Sequence, residues 1–264
     1  MSSPLTRGES PEDDVVKKFV KVFVALCIAL SAFAVTGSAS AAPAQAPVQA
    51  ADGCYTWAGP LSEGATGDPV RQLQIRVSGY PGSGEVLGLD GTYGPATKAA
   101  VTRFQQAYGI SADGVAGDAT FAKIYELQDD DCTPANFDYA ELNGCNSDWS
   151  GGPLSAADAK ANALVSMWKL QAMRHALGDV ALSVSSGFRS YSCNDAVGGA
   201  ADSRHLYGDG VDLIGAPSFC TLALQARDHG FSQILGPGYP GHDDHTHVAA
   251  SPSRLWSAPT CGLG

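Results

Sequence analysis

A sixteen-residue pattern occurs twice: DGTYGPATKAAVTRFQ, Asp90–Gln105, returns 23 residues later as DGVAGDATFAKIYELQ, Asp113–Gln128. The positions that keep their character are Asp90/Asp113, Gly91/Gly114, Gly94/Gly117, Thr97/Thr120, Val101/Ile124, Phe104/Leu127 and Gln105/Gln128. Asp-Gly starts a turn, and the later glycine permits close backbone approach. The apolar positions then recur at three- and four-residue intervals, the pattern of one buried helical face. GDPVRQLQIRV, Gly67–Val77, supplies another amphipathic helix. The expectation is a small three-helix unit over residues 54–132, closed by a Cys54–Cys132 disulfide.

The first residues read as a targeting segment. Lys17, Lys18 and Lys21 lead into the apolar run FVKVFVALCIALSAFAV and then GSASAAPA, the layout of a secretory signal peptide. Cleavage is expected after Ala41, giving a signal over 1–41 and an Ala/Pro-rich linker over 42–53. The acidic MSSPLTRGESPEDD ahead of the lysines is unusual for such a signal, so translation is expected to start at Val15 or Val16; peptide mapping of the unprocessed N-terminus checks this. Cys27 follows Leu26 in mid-run, which argues against lipid attachment.

Six cysteines remain, an even count that in an exported chain suggests three disulfides. Domain layout pairs Cys54–Cys132, Cys145–Cys193 and Cys220–Cys261, and no CxxC offers a thiolate zinc site. Four basic and four acidic residues leave with the signal, so the net charge stays at −11. Such acidity disfavours binding to nucleic acid or to an anionic membrane through charge. After the signal no apolar stretch is long enough to span a bilayer, and a secreted, extracellular monomer is expected.

Residues 134–264 mix helices and strands without regular βαβ alternation, which indicates α+β with an antiparallel sheet. A helix over Ser155–Gly178 has Leu164, Trp168 and Ala172 on one face. Strands are expected at Val180–Val184, Val211–Gly215, Phe231–Leu235 and HTHVAA, with a helix from Pro217 to Gly230.

The chemistry concentrates in SRHLYGDGVDL, Ser203–Leu213, and GHDDHTH, Gly241–His247. His205 and Asp212 are seven apart, which on one unbroken strand puts them on opposite faces, and Gly208 and Gly210 argue against a helix. A turn over Tyr207–Gly210 that folds His205 back beside Asp212 remains. These two and a later histidine form a His₂-carboxylate set, which leaves a fourth zinc position open for water. His245 and His247, two apart, share a strand face; one can ligate while the other stands above the open position. Asp244 can reach the activated water as general base. His175 and His229 are expected to be packing or helix-terminus residues, and His242 and Asp243 to support the loop.

Two resemblances follow from these residues. D-G-x-[YF]-G-x-x-T-x-x-A-V-x-x-F-Q-x-x-x-G, matched from Asp90 to Gly109, resembles the type 1 peptidoglycan-binding domains and implies wall binding by residues 54–133. S-x-H-x-x-G-x-A-x-D followed by D-H-x-H, with SGFRS and GPGYPGHDDHTHVAA, resembles the zinc D-Ala-D-Ala carboxypeptidases of the LAS metallopeptidases. That resemblance implies one Zn²⁺ on His205, Asp212 and His247, Asp244 as general base, Arg189 on substrate or oxyanion, and His245 as an extra donor. It also implies peptidoglycan as partner and a wall-associated location. Gly210 stands where the motif usually has Ala, a position expected to line the turn rather than the metal.

Rival readings use the same chain. Other zinc peptidases of this group cut cross-bridges or L-Ala-D-Glu bonds. Ser166-x-x-Lys169 and Ser192-x-Asn194 imitate a penicillin-sensitive serine peptidase, although none of the seven lysines opens a K-[ST]-G. A non-catalytic wall-binding protein is the remaining alternative.

Overall fold

A computed structural model describes residues 54–145 and 148–264, which belong to one compact unit; the expected signal and linker lie outside them. Three helices make the N-terminal region: α1 (Asp68–Arg76), α2 (Pro95–Ala107) and α3 (Asp118–Glu126). Pro69 and Pro95 sit in the first turns of α1 and α2, where a missing N–H costs nothing. Val70, Leu73, Val101, Phe104, Phe121 and Ile124 pack with Trp57 and Tyr93, and Trp57 stacks on Phe121 at 4.7 Å.

The repeat has a polar purpose as well. The Gln105 amide donates to Asp113 Oδ1 (3.1 Å), the Val115 carbonyl (2.9 Å) and Thr120 Oγ1 (3.0 Å), and its oxygen accepts from the Gly114 N–H (2.9 Å). Gln74 does the same one repeat earlier, with Asp90 Oδ1 (2.9 Å), the Thr92 carbonyl (3.1 Å), Thr97 Oγ1 (3.0 Å) and the Gly91 N–H (2.9 Å). Each helix thus ends by reading the Asp-Gly turn of the next copy. Gly91 and Gly114 have φ of 70° and 71°, a conformation that glycine adopts without strain. The segment through α1 is therefore a third, partial copy: Val70, Leu73 and Gln74 occupy the places of Val101, Phe104 and Gln105, while Thr66 is exposed ahead of the helix, unlike the buried Thr97. The last glutamine, Gln128, accepts from Arg76 instead (3.1 and 3.3 Å).

The C-terminal region contains α4 (Tyr139–Leu142), α5 (Ala156–Ala176), β1 (Ser183–Ser186), α6 (Tyr191–Ala196), β2 (Gly210–Ile214), α7 (Phe219–Asp228), β3 (Gln233–Leu235), β4 (Thr246–Ala249) and β5 (Leu255–Ser257). Sheet order is β1-β2-β4-β3-β5, antiparallel except for β3 and β5, which run parallel. The α+β expectation holds; the short helices α4 and α6 and the three-residue strand β5 are the elements that the sequence did not announce. Strand β1 begins at Ser183 rather than Val180, because the chain turns after α5 through Gly178 (φ 81°) and Asp179 (φ 62°) and leaves Val180 exposed.

Helix α5, capped by Ser155 on the Asp158 N–H, is apolar on two sides. Ala163, Met167, Leu170 and Met173 face the sheet, whereas Val165, Trp168 and Ala172 join the core of the three-helix region. The two cores therefore share one helix. The three expected disulfides are all present, with Cα separations of 5.4, 6.2 and 5.0 Å for Cys54–Cys132, Cys145–Cys193 and Cys220–Cys261.

Candidate metal centre

Register in the middle of the sheet places Asp212 of β2 directly opposite His247 of β4. His205 arrives from a 3₁₀ turn, Arg204–Tyr207, that ends at Gly208 in the left-handed conformation (φ 79°). A Cβ at Gly208 would collide with the Ala159 carbonyl, so both the φ and the close approach to α5 require glycine there. The reversal brings His205 Nε2 to 3.1 Å from Asp212 Oδ1, and His247 Nδ1 lies 2.8 Å from the same oxygen. The two ring nitrogens are 3.1 Å apart. All three residues are buried.

The outer partners set the ring orientations, and for His205 the partner fixes which nitrogen carries hydrogen. His205 Nδ1 lies 2.6 Å from the Gly187 carbonyl, which only accepts, and His247 Nε2 lies 3.2 Å from Gln233 Oε1. Neutral rings that donate outward turn lone pairs inward, toward a carboxylate oxygen that also only accepts. Burial pushes the His247 imidazole down to about 4. Three acceptors thus meet in a buried space with no donor between them. A divalent cation satisfies that arrangement, and these donors, two imidazoles and a carboxylate, suit it chemically.

Comparison with known proteins gives this site a setting. Residues 135–249 match the peptidase M15 family, and residues 66–124 match a peptidoglycan-binding domain family. A zinc D-Ala-D-Ala carboxypeptidase of Streptomyces albus G is 67% identical over 231 residues, 87% of this chain and 91% of that protein. The chain belongs to the peptidase M15 family. An N-acetylmuramoyl-L-alanine amidase of Bacillus licheniformis is 46% identical over 79 residues, 28% of this chain and 21% of that protein. A solved peptidoglycan-binding protein of Clostridioides difficile is 38% identical with a TM-score of 0.22, covering 24% of this chain and 39% of that one.

Around the trio, this M15 member arranges the other expected residues at different depths. Arg189 donates from Nη2 to Asp212 Oδ2 (2.8 Å) and from Nε to Ser186 Oγ (2.9 Å), so it braces the carboxylate oxygen that the histidines leave free. His245 Nε2 is 3.7 Å from Asp212 Oδ1, while its Nδ1 is 2.8 Å from Asp244 Oδ1. Asp244 itself is mostly in solvent, and its hydrogen bond with His245 holds its carboxyl below the ordinary value. Asp243 Oδ1 accepts from the Gly238 N–H (2.8 Å), a loop role as expected, and the His242 ring lies 4.7 Å from that of His245.

Gly210 corrects an expectation. A Cβ there would lie 2.8 Å from the His205 backbone nitrogen and 3.1 Å from His247 Cε1, so the position abuts both histidines of the trio rather than only the turn. Ser186, Gly187 and Gln233 are the partners that the sequence reading missed. Ser186 had no signal: an irregularity between Val184 and Ser186 pairs Val184 with Leu213 but Ser186 with Asp212, and these neighbours point to opposite faces of β2. Gln233 had none, because its approach to His247 depends on β3–β4 register.

The remaining candidates are structural. Ser166 is fully buried with Oγ donating to the Asp209 carbonyl (2.9 Å), and Lys169 Nζ donates to the Gly230 carbonyl (2.6 Å), so the serine-lysine pair points to separate acceptors. His175 and His229 tie the two regions together, at 3.0 Å from the Ala107 carbonyl and 2.7 Å from the Gly79 carbonyl.

Proposed function

We propose that this chain is a zinc D-Ala-D-Ala carboxypeptidase that removes C-terminal D-alanine from peptidoglycan stem peptides while residues 54–133 hold the polymer. The buried trio of convergent lone pairs carries this reading, with the high identity to the Streptomyces enzyme beside it. The ligands would be His205 Nε2, an Asp212 carboxylate oxygen and His247 Nδ1. Zinc bound there polarises a scissile carbonyl and acidifies water, the chemistry of amide hydrolysis near neutral pH.

The chain's own groups supply the rest. Asp244 and His245 act as a pair: the Asp244 carboxylate orients the ring and takes up the proton lost by the attacking water, then returns it to the departing amine. His245 Nε2, facing the trio, donates to the developing oxyanion when the ring is protonated. Arg189 braces Asp212 and offers its remaining N–H groups to a peptide carboxylate or oxyanion. Secretion by a cleaved signal and action as a monomer at the wall complete the proposal.

Mass spectrometry of a digested stem pentapeptide tests it. Loss of one alanine, abolished by a chelator and indifferent to penicillin, is the expected result. Two internal fragments would replace the carboxypeptidase with an endopeptidase, and penicillin sensitivity would overturn the metal reading.

A further inference from the structure

A cleft of about 400 Å³ opens beside the trio, between α4 and the segment that follows β1. Its lining touches the metal centre directly: the Gly187 carbonyl binds His205, and Arg189 binds Asp212. Arg189 and Glu141 are the charged residues in that lining. The Phe188 N–H donates to the Leu142 carbonyl (2.5 Å), which clamps α4 against Gly187 and Phe188 and sets Glu141 along the same wall.

Glu141 has a negative charge and, among the described residues, no lysine or arginine paired with it. Lys160, which approaches the same short helix, spends its ammonium over the Tyr139 ring at 4.1 Å. Partial burial and the neighbouring charge of Asp138 push the Glu141 carboxyl up from its ordinary value, so an incoming cation relieves a local excess of negative charge. Val197, the most exposed of the large apolar side chains among the described residues at 64%, also lines this cleft. An anion with an aliphatic surface in the same cleft suits a flexible chain that ends in an ammonium.

We propose that Glu141 is a specificity residue that recognises the side-chain ammonium of a diamino residue in the stem peptide, with the peptide's carboxylate end directed to Arg189. The inference rests on the proposed peptide substrate but not on which of its bonds is cut. It makes the cleft bipolar: one charged end orients the chain toward the metal centre and the other reads its composition.

Calorimetry on the full-length, zinc-loaded Asp244→Asn protein tests this without turnover. Two pentapeptides are compared, identical except that the diamino side chain is free in one and acetylated in the other. About tenfold tighter binding of the free amine is expected, equivalent to about 1.4 kcal/mol. Glu141→Gln should bring the ratio close to one, and Glu141→Asp should recover part of it. Equal binding of both peptides by the parent, an unchanged ratio in Glu141→Gln, or an equal loss for both peptides in that variant would each overturn the assignment. Alanine release by the protein with Asp244 intact is measured separately. A retained binding preference without release would strike the proposed bond and leave Glu141 standing.

Discussion

Two buried polar clusters sit in this molecule, and they differ in one respect. In the three-helix region, Gln74 and Gln105 bring both a donor and an acceptor to each Asp-Gly turn, and every group named in those networks has a partner of the opposite kind. In the sheet region, His205, Asp212 and His247 converge at 2.8–3.1 Å with their donors already committed to outside acceptors. The first cluster is complete within the chain. The second needs a cation. Polar clusters thus divide into those that hold a fold and those that hold a ligand, and the deciding quantity is the local balance of donors and acceptors.

Removing a member of each cluster separates the two kinds, and the largest effect belongs to the metal centre. His247→Ala should leave the helical content intact by circular dichroism, abolish stoichiometric zinc in elemental analysis, and reduce peptide hydrolysis by more than about 10³-fold, over 4 kcal/mol of transition-state stabilisation. Full zinc content in that variant would break the comparison. Chelation gives the same contrast thermodynamically: a site held about 1,000-fold above its Kd contributes about 4 kcal/mol of stability. The parent should lose that on metal removal, and His247→Ala should show no chelator-dependent change in Tm.

Next in size is Asp244→Asn, which keeps the outer sphere of the trio but removes the carboxylate of the proton-carrying pair. Zinc content should be unchanged, with turnover lowered by about 10²–10⁴-fold, the usual range for a general base. Gln105→Ala should act on stability alone. It strands the Gly114 N–H and the Thr120 hydroxyl in the core, a cost of about 2–4 kcal/mol readable by urea denaturation, with zinc content unaffected.

The legibility of the sequence follows the same division. Groups close along the chain left a signature: the repeat predicted α2 and α3, and the glycines after His205 predicted the turn that returns it to Asp212. Gln74 escaped notice because the first copy lacks the Asp-Gly start that marks the other two, although its helix carries the same apolar positions and glutamine. Gln233 and β5 were invisible, since strand register across the sheet places them and no spacing encodes it. Leu164, Trp168 and Ala172 were read correctly as one face of a helix, but a face pattern cannot say that α5 serves two cores. The depth of Gly210 was misjudged for a related reason: His247 reaches it from another strand.

Lys169 belongs to neither cluster and gives the smallest and most graded test. It lies on α5, buried, with the Gly230 carbonyl as its hydrogen-bond acceptor among the described residues and the ring of Phe231 5.5 Å from Nζ. Burial pushes its ammonium down to about 8, against the pull of Asp209 in the other direction. Below that value both folded and unfolded chains carry the proton, and the cost of the buried charge is constant. Between pH 8 and the unfolded value near 10.5 the unfolded chain binds more protons, so stability rises with pH. Integrating from pH 7 to 9 gives a gain of about 1 kcal/mol. The measurement is the urea midpoint at each pH for the parent and for Lys169→Met, whose difference cancels the tyrosines that titrate higher up. The parent should gain on Lys169→Met as pH rises through this window. A flat difference would mean that the carbonyl and the ring satisfy the ammonium as fully as the glutamines satisfy their turns, and the donor–acceptor criterion would then need to count ring contacts as well.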